Sequence, residues 1–212
     1  GSEMCIRDSS DEAEKYSAAA FATKHEDAIY FSKRVTRAVP DGGPIEAHTD
    51  LVKKLDYECE LAVVLGKDAR DVPAGQTRDY IFGYTILNDV SARDVQTAHK
   101  QWYFGKSLDG FTPIGPCIVT ADAFADYPPR LGIRSFVNGE KRQDSNTALQ
   151  IFDIDHVIAE LSQGMTLKAG TIIATGTPAG VGMGMEPPCF LKPGDEVRCE
   201  IEGIGTLTNT VR

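Results

Sequence analysis

Two glutamates two residues apart, Glu58 and Glu60, stand at the head of the run Tyr57-Glu58-Cys59-Glu60-Leu61-Ala62-Val63-Val64-Leu65, which is closed by Gly66. An apolar, β-branched run of this length reads as a strand. A strand turns alternate side chains to one face, so both carboxylates look the same way. Side by side on a half-buried face they repel, and burying either one unpaired is costly. A hard cation between them removes both penalties. A second apolar run, residues 80–90, delivers Asp89 near its end. Three carboxylates from two strands make an oxygen-only donor set suited to Mg²⁺, with Mn²⁺ as the other choice. Taken singly the pieces say less: Glu-x-Glu is common on solvated edges, and a lone Asp is often a turn residue or helix N-cap.

Polar residues crowd behind Asp89. Ser91, Arg93, Asp94 and Gln96 follow at once, and then Gly105-Lys106-Ser107-Leu108-Asp109-Gly110-Phe111-Thr112-Pro113-Ile114-Gly115-Pro116. Lys106 in a loop is either a solvated charge or, if fixed beside a site, an ammonium placed to stabilise developing negative charge. Arg93 and Asp94 make either a salt-bridged turn or, for Arg93, a brace behind a metal ligand. The stretch Thr175-Gly176-Thr177-Pro178-Ala179-Gly180-Val181-Gly182 is a glycine-rich strand exit. It lacks the Gly-Lys-Ser/Thr ending of a nucleotide P-loop, so phosphate binding is not expected there.

In this order the Glu-x-Glu strand, the Asn-Asp-x-Ser-Ala-Arg-Asp-x-Gln run and the Gly-Lys-Ser-x-Asp-x-Phe-x-Pro-x-Gly-Pro loop resemble the fumarylacetoacetate hydrolase family, across residues 28–212. The resemblance implies a β-rich α+β fold, a rolled mixed β-sheet sandwich or barrel. It implies metal ligation by Glu58, Glu60 and Asp89, catalytic charge stabilisation and substrate contact by Lys106, and substrate binding by Arg93, Gln96 and Thr177. The metal would grip the two oxygens of an α-keto acid or 1,3-dicarbonyl. Hydrolytic C–C cleavage of an acylpyruvate-like substrate would then run through an enolate held by the metal and Lys106. The same enolate permits isomerisation of a hydroxymuconate-type diacid or decarboxylation of oxaloacetate. A homodimer follows by analogy, and a monomer in light scattering at micromolar concentration would refute it.

The family's usual proton-transfer pair, a His and a Glu three residues apart ahead of the first strand, has no counterpart here. His25-Glu26 is the nearest pair and has the wrong spacing, while His48, His99 and His156 match no family position and read as surface or packing residues. A metal-binding protein without catalysis is therefore the rival reading, and a sugar- or nucleotide-binding β domain a weaker one.

Composition narrows the rest. The chain has 212 residues, 42% hydrophobic and 25% charged, with a formal net charge of −9. That suffices for one large core. The acidic balance argues against nucleic acid and anionic membranes as partners, and no apolar run reaches the length of a membrane span. Five scattered cysteines without a Cys-x-x-Cys pair suit a reducing cytoplasm. Residues 1–10 are expected to be a tag or foreign leader, since Gly1-Ser2 looks like an expression scar and Glu3 to Ser10 fits neither a signal peptide nor the family's pattern. Residues 11–27 are expected to form an arm or short helix, and residues 28–212 one catalytic domain.

These groups need elements to hold them. Strands are expected near residues 27–35, 57–65, 80–89, 116–120, 131–138, 170–176, 195–202 and 205–211. Asn138-Gly139 is a hairpin signal, and Ile154, Val157, Ile158 and Leu161 at helical spacing behind Asp153 or Asp155 give one helix. There is no βα alternation, so a doubly wound sheet is excluded.

Overall fold

A computed structural model describes the backbone of residues 2–6 and the whole of residues 27–212. Among the described residues thirteen strands run in chain order: β1 (Ser2–Ile6), β2 (Tyr30–Arg34), β3 (Pro44–Ile45), β4 (Leu55–Asp56), β5 (Cys59–Leu65), β6 (Ile81–Asn88), β7 (Ser91–Ala92), β8 (Ile114–Thr120), β9 (Gly132–Val137), β10 (Glu140–Asn146), β11 (Ile172–Ala174), β12 (Glu196–Ile201) and β13 (Gly205–Val211). Among the described residues three α-helices join them: α1 (Arg93–Ala98), α2 (Tyr103–Lys106) and α3 (Ile154–Leu161). The first sheet has the order β2-β1-β11-β5-β6-β8, the second β10-β9-β12-β13-β3, and β4 pairs with β7 in a small third. Both large sheets are mixed, because β1 lies parallel to β11 and β13 parallel to β3 while the other pairs are antiparallel. The class is the expected β-rich one, with open sheets rather than a closed barrel.

The two large sheets share one core. Cys59, Leu61, Val63 and Leu65 of β5 point into it with Ile86 of β6, and meet Ile133, Val137, Val197, Cys199, Ile201 and Leu207 of the second sheet. The alternate residues turn away from that core: Ala62, Leu87 and Ala174 form a separate buried cluster with Phe31, Ile114 and Ile172 around it. Glu60 pairs in register with Leu87, so period-2 alternation sends the carboxylate to this second face. Helix α3 closes one end of the core with Ile154, Val157, Ile158 and Leu161. Asp153 caps it, accepting from the His156 N–H at 2.8 Å.

Most expected strands stand within a residue or two of their places, and Asn138 and Gly139 take positive φ of 51° and 81° at the β9–β10 turn, the type I′ requirement. Three outcomes differ. Ser2–Ile6, in the stretch expected to be foreign to the fold, pairs with both β2 and β11. Pro44–Ile45, read as turn material, adds a short strand beside β13. Lys106, read as a loop residue, ends the four-residue helix α2. The expected arm over residues 11–27 lies outside the described residues, Asp27 excepted.

Candidate metal centre

Glu58 sits one residue before β5 and Asp89 one residue after β6, so two strand ends carry two of the acids while Glu60 lies inside β5. The ends are tied to each other: the Asp89 N–H donates to the Glu58 carbonyl at 2.8 Å, and the Glu58 N–H donates to Asn88 Oδ1 at 3.0 Å. As a result one oxygen from each of Glu58, Glu60 and Asp89 lies within 4.8 Å of the others. Such a set could hold one metal ion.

Cations surround the cluster. Lys106 Nζ donates to Glu58 Oε2 at 2.7 Å and to Asp89 Oδ2 at 2.5 Å. Lys33 takes the other oxygen of Asp89 at 2.6 Å and also donates to the Phe111 carbonyl at 2.6 Å. Arg93 bridges Glu58 Oε1 at 2.6 Å and Asp56 Oδ2 at 2.9 Å. Burial alone would weaken the Arg93 charge, but Glu58 and Asp56 more than offset that and raise its pKa. Asp56 in turn accepts the Gly182 and Met183 N–H groups at 2.7 and 2.9 Å. Four buried or half-buried carboxylates therefore face three cations.

Glu60 is the one left over. Its Oε2 accepts the Gly176 N–H at 2.8 Å, and among the described residues no cation pairs with it. Burial, then the charges of Asp89 and Glu58, push its pKa well above the usual carboxylate range against the opposing pull of Lys106 and the Gly176 N–H. An all-oxygen donor set with one uncompensated carboxylate fits a hard divalent cation such as Mg²⁺.

The flanking residues divide. Gln96 is buried and accepts from Arg93 Nη1 at 3.2 Å through Oε1. Asp94 faces away, accepting the Lys53 N–H at 2.8 Å, which is the turn reading. Thr177 lies by the strand, but its hydroxyl donates to the Cys59 carbonyl at 3.0 Å and accepts from Gln143 Nε2 at 2.8 Å. Both hydrogen-bonding roles of the hydroxyl are thus met within the fold. His48, His99 and His156 pack on Phe111, Phe104 and Phe152, and His25-Glu26 lies outside the described residues. Lys33, Asp56 and Gln143 also join this cluster, and none of them is among the site residues that the sequence motifs mark.

Helix α2 depends on Gly105. A Cβ there would lie 2.6 Å from the Gln96 backbone nitrogen. Gly105→Ala is expected to push α2 off α1, cost about 1–3 kcal/mol as overpacking does, and displace Lys106. Urea unfolding and turnover check this; unchanged values for both would show that the contact relaxes freely.

The family described as fumarylacetoacetate (FAA) hydrolase C-terminal matches residues 2–212. Oxaloacetate tautomerase YisK of Bacillus subtilis is 45% identical over 186 residues, which cover 88% of this chain and 62% of that protein. A solved fumarylacetoacetate hydrolase from Exiguobacterium antarcticum is 45% identical with a TM-score of 0.89, over 100% of this chain and 74% of that one. The solved 2-hydroxyhepta-2,4-diene-1,7-dioate isomerase from Mycobacterium marinum is 39% identical with a TM-score of 0.82, over 99% and 73%. The chain thus spans about three-fifths of the length of the curated relatives it matches. Among the described residues no helix is long and apolar enough to cross a membrane.

Proposed function

The chain belongs to the fumarylacetoacetate hydrolase family, and from that premise we propose that it is a divalent-metal-dependent enzyme acting on a small α-keto acid, with enol–keto tautomerisation of an oxaloacetate-like diacid as its reaction. The observation that carries the reading is the convergence of Glu58, Glu60 and Asp89 within 4.8 Å, with the Lys106 ammonium fixed against two of them. The named activity of the Bacillus subtilis relative supports the choice of reaction.

Glu58, Glu60 and Asp89 would hold the ion. Once bound, it would polarise the keto acid and acidify the carbon beside the carbonyl. The chain's own residues do the rest. Lys106 keeps its positive charge where two carboxylates neutralise it in the resting state, and it stabilises the negative charge that builds on the substrate oxygen. Arg93 fixes Glu58 in one orientation and takes the Gln96 carbonyl oxygen, so the Gln96 amide presents its N–H₂ to a substrate carboxylate. Phe31 covers Lys106 from 5.5 Å and meets Trp102 edge-on at 5.2 Å, an apolar wall that keeps water from the ammonium.

Hydrolytic cleavage of an acylpyruvate-like substrate is the second reading, favoured by the likeness to the Exiguobacterium antarcticum hydrolase. One experiment separates them. With Mg²⁺, the ultraviolet absorbance of enol-oxaloacetate is expected to decay faster than in buffer, and a chelator should remove the effect. Loss of acetylpyruvate with an unaltered oxaloacetate signal would select hydrolysis. Buffer-level rates on both would defeat the enzyme reading.

A further inference from the structure

Gln143 belongs to the second sheet yet reaches the strand that carries the acids. The β9–β10 pairing shifts register between Lys141 and Gln143, and a bulge re-aims the side chain that follows it. Here it turns Gln143 fully inward, with 0% exposure. Every polar atom of the amide is then used. Oε1 accepts the Cys59 N–H at 3.1 Å, midway between Glu58 and Glu60. Nε2 donates to Thr177 Oγ1 at 2.8 Å and to the Pro178 carbonyl at 2.6 Å. Thr177 passes its own proton back to the Cys59 carbonyl at 3.0 Å. The peptide unit around Cys59 and the 176–178 turn are therefore clasped through one glutamine and one hydroxyl, and the neighbouring Gly176 N–H holds Glu60 Oε2.

We propose that Gln143 is a positioning residue for the metal centre, and that the Thr177 hydroxyl is its partner in locking the 176–178 turn onto Glu60. The inference rests on the reading of Glu58, Glu60 and Asp89 as ligands. Buried amide networks rigidify what they join only when every member is satisfied, and partners standing behind metal ligands typically govern 10–100-fold in affinity. The lock acts before substrate arrives, so its loss must appear in binding of the ion alone.

The test is Mg²⁺ affinity by calorimetry for the parent chain, Gln143→Met, Thr177→Val, Thr177→Ser and the double variant of the first two. Gln143→Met and Thr177→Val are expected to weaken Mg²⁺ binding about 10–100-fold. Thr177→Ser keeps the hydroxyl and should match the parent. The double variant should be no worse than about threefold beyond the weaker single variant, because both remove one lock. Parent-like Mg²⁺ affinity in Thr177→Val would overturn the proposal, as would fully multiplicative losses in the double variant. Should Gln143→Met fail to fold, the Thr177→Val and Thr177→Ser pair decides the matter alone. A parent chain that shows this pattern but turns over no keto acid defeats the functional reading and leaves the lock standing. A parent that binds no Mg²⁺ defeats both.

Discussion

Glu60→Gln is expected to lose at least about 100-fold in turnover and all of the thermal shift that Mg²⁺ gives the parent, while melting no lower than the parent in a chelator. The first two effects follow from ligation: partners that merely orient ligands are worth 10–100-fold, and Glu60 is one of the three carboxylates that converge among the described residues. The third follows from burial. Glu60 is 1% exposed, and no cation pairs with it among the described residues. An ionised carboxylate there costs folding energy that a neutral amide does not, and the Gln Oε1 can still accept the Gly176 N–H. The sign with pH is fixed. A folded-state pKa above the ordinary carboxylate range means the folded state binds a proton that the unfolded state has released. The metal-free parent thus loses stability as pH rises out of the ordinary carboxylate range, and Glu60→Gln does not. The gap in melting temperature should widen upward in pH and close below that range. Melting curves in chelator and in Mg²⁺ at two pH values measure all of this. A variant that melts well below the parent in chelator would show Glu60 to be a structural acid.

The acids were legible in the sequence because strand alternation is a local rule. Glu58 and Glu60 share a side by spacing alone, and Asp89 is delivered by the strand that pairs with theirs. What stayed hidden depends on chain segments meeting from afar. Lys33 reaches Asp89 across 56 positions and Gln143 reaches Cys59 across 84. No periodicity encodes either contact. The inward turn of Gln143 needs a bulge, which alternation cannot foresee. Pro44–Ile45, Leu55–Asp56 and Ser91–Ala92 are strands of two residues, too short to carry a pattern. Asp56 gave no signal because it lies outside the group of three converging acids. It works one step behind, holding Arg93 and the Gly182–Met183 turn. The family resemblance marks Thr177 as a substrate contact. Only the coordinates of its neighbours reveal that both its hydrogen-bonding roles are filled.

Lys106→Met should behave in the opposite sense to Glu60→Gln, and that opposition is the sharper test of the charge arrangement. Methionine keeps the length of the side chain and its contact with Phe31 but removes the ammonium. Glu58 Oε2 and Asp89 Oδ2 then lose the cation that sits 2.7 and 2.5 Å away, in a cluster where Asp89 is wholly buried. Removing one partner of a buried ion pair typically costs about 3–5 kcal/mol, since the other charge stays behind. Glu58 keeps Arg93 and Asp89 keeps Lys33, so the lower end of that range is expected in chelator. A divalent ion bound by the same carboxylates replaces the missing charge, and the variant should recover most of its stability in Mg²⁺, with a thermal shift larger than the parent's. Turnover should not recover. The ion cannot stand in for a donor aimed at the substrate oxygen, and loss of one such donor typically costs 10²–10³ in kcat. Stability restored by Mg²⁺ with activity still absent would separate the two duties of Lys106, neutralising the acids at rest and stabilising charge during reaction. Full activity in the Mg²⁺-loaded variant would remove Lys106 from the chemistry and leave it a structural counter-ion.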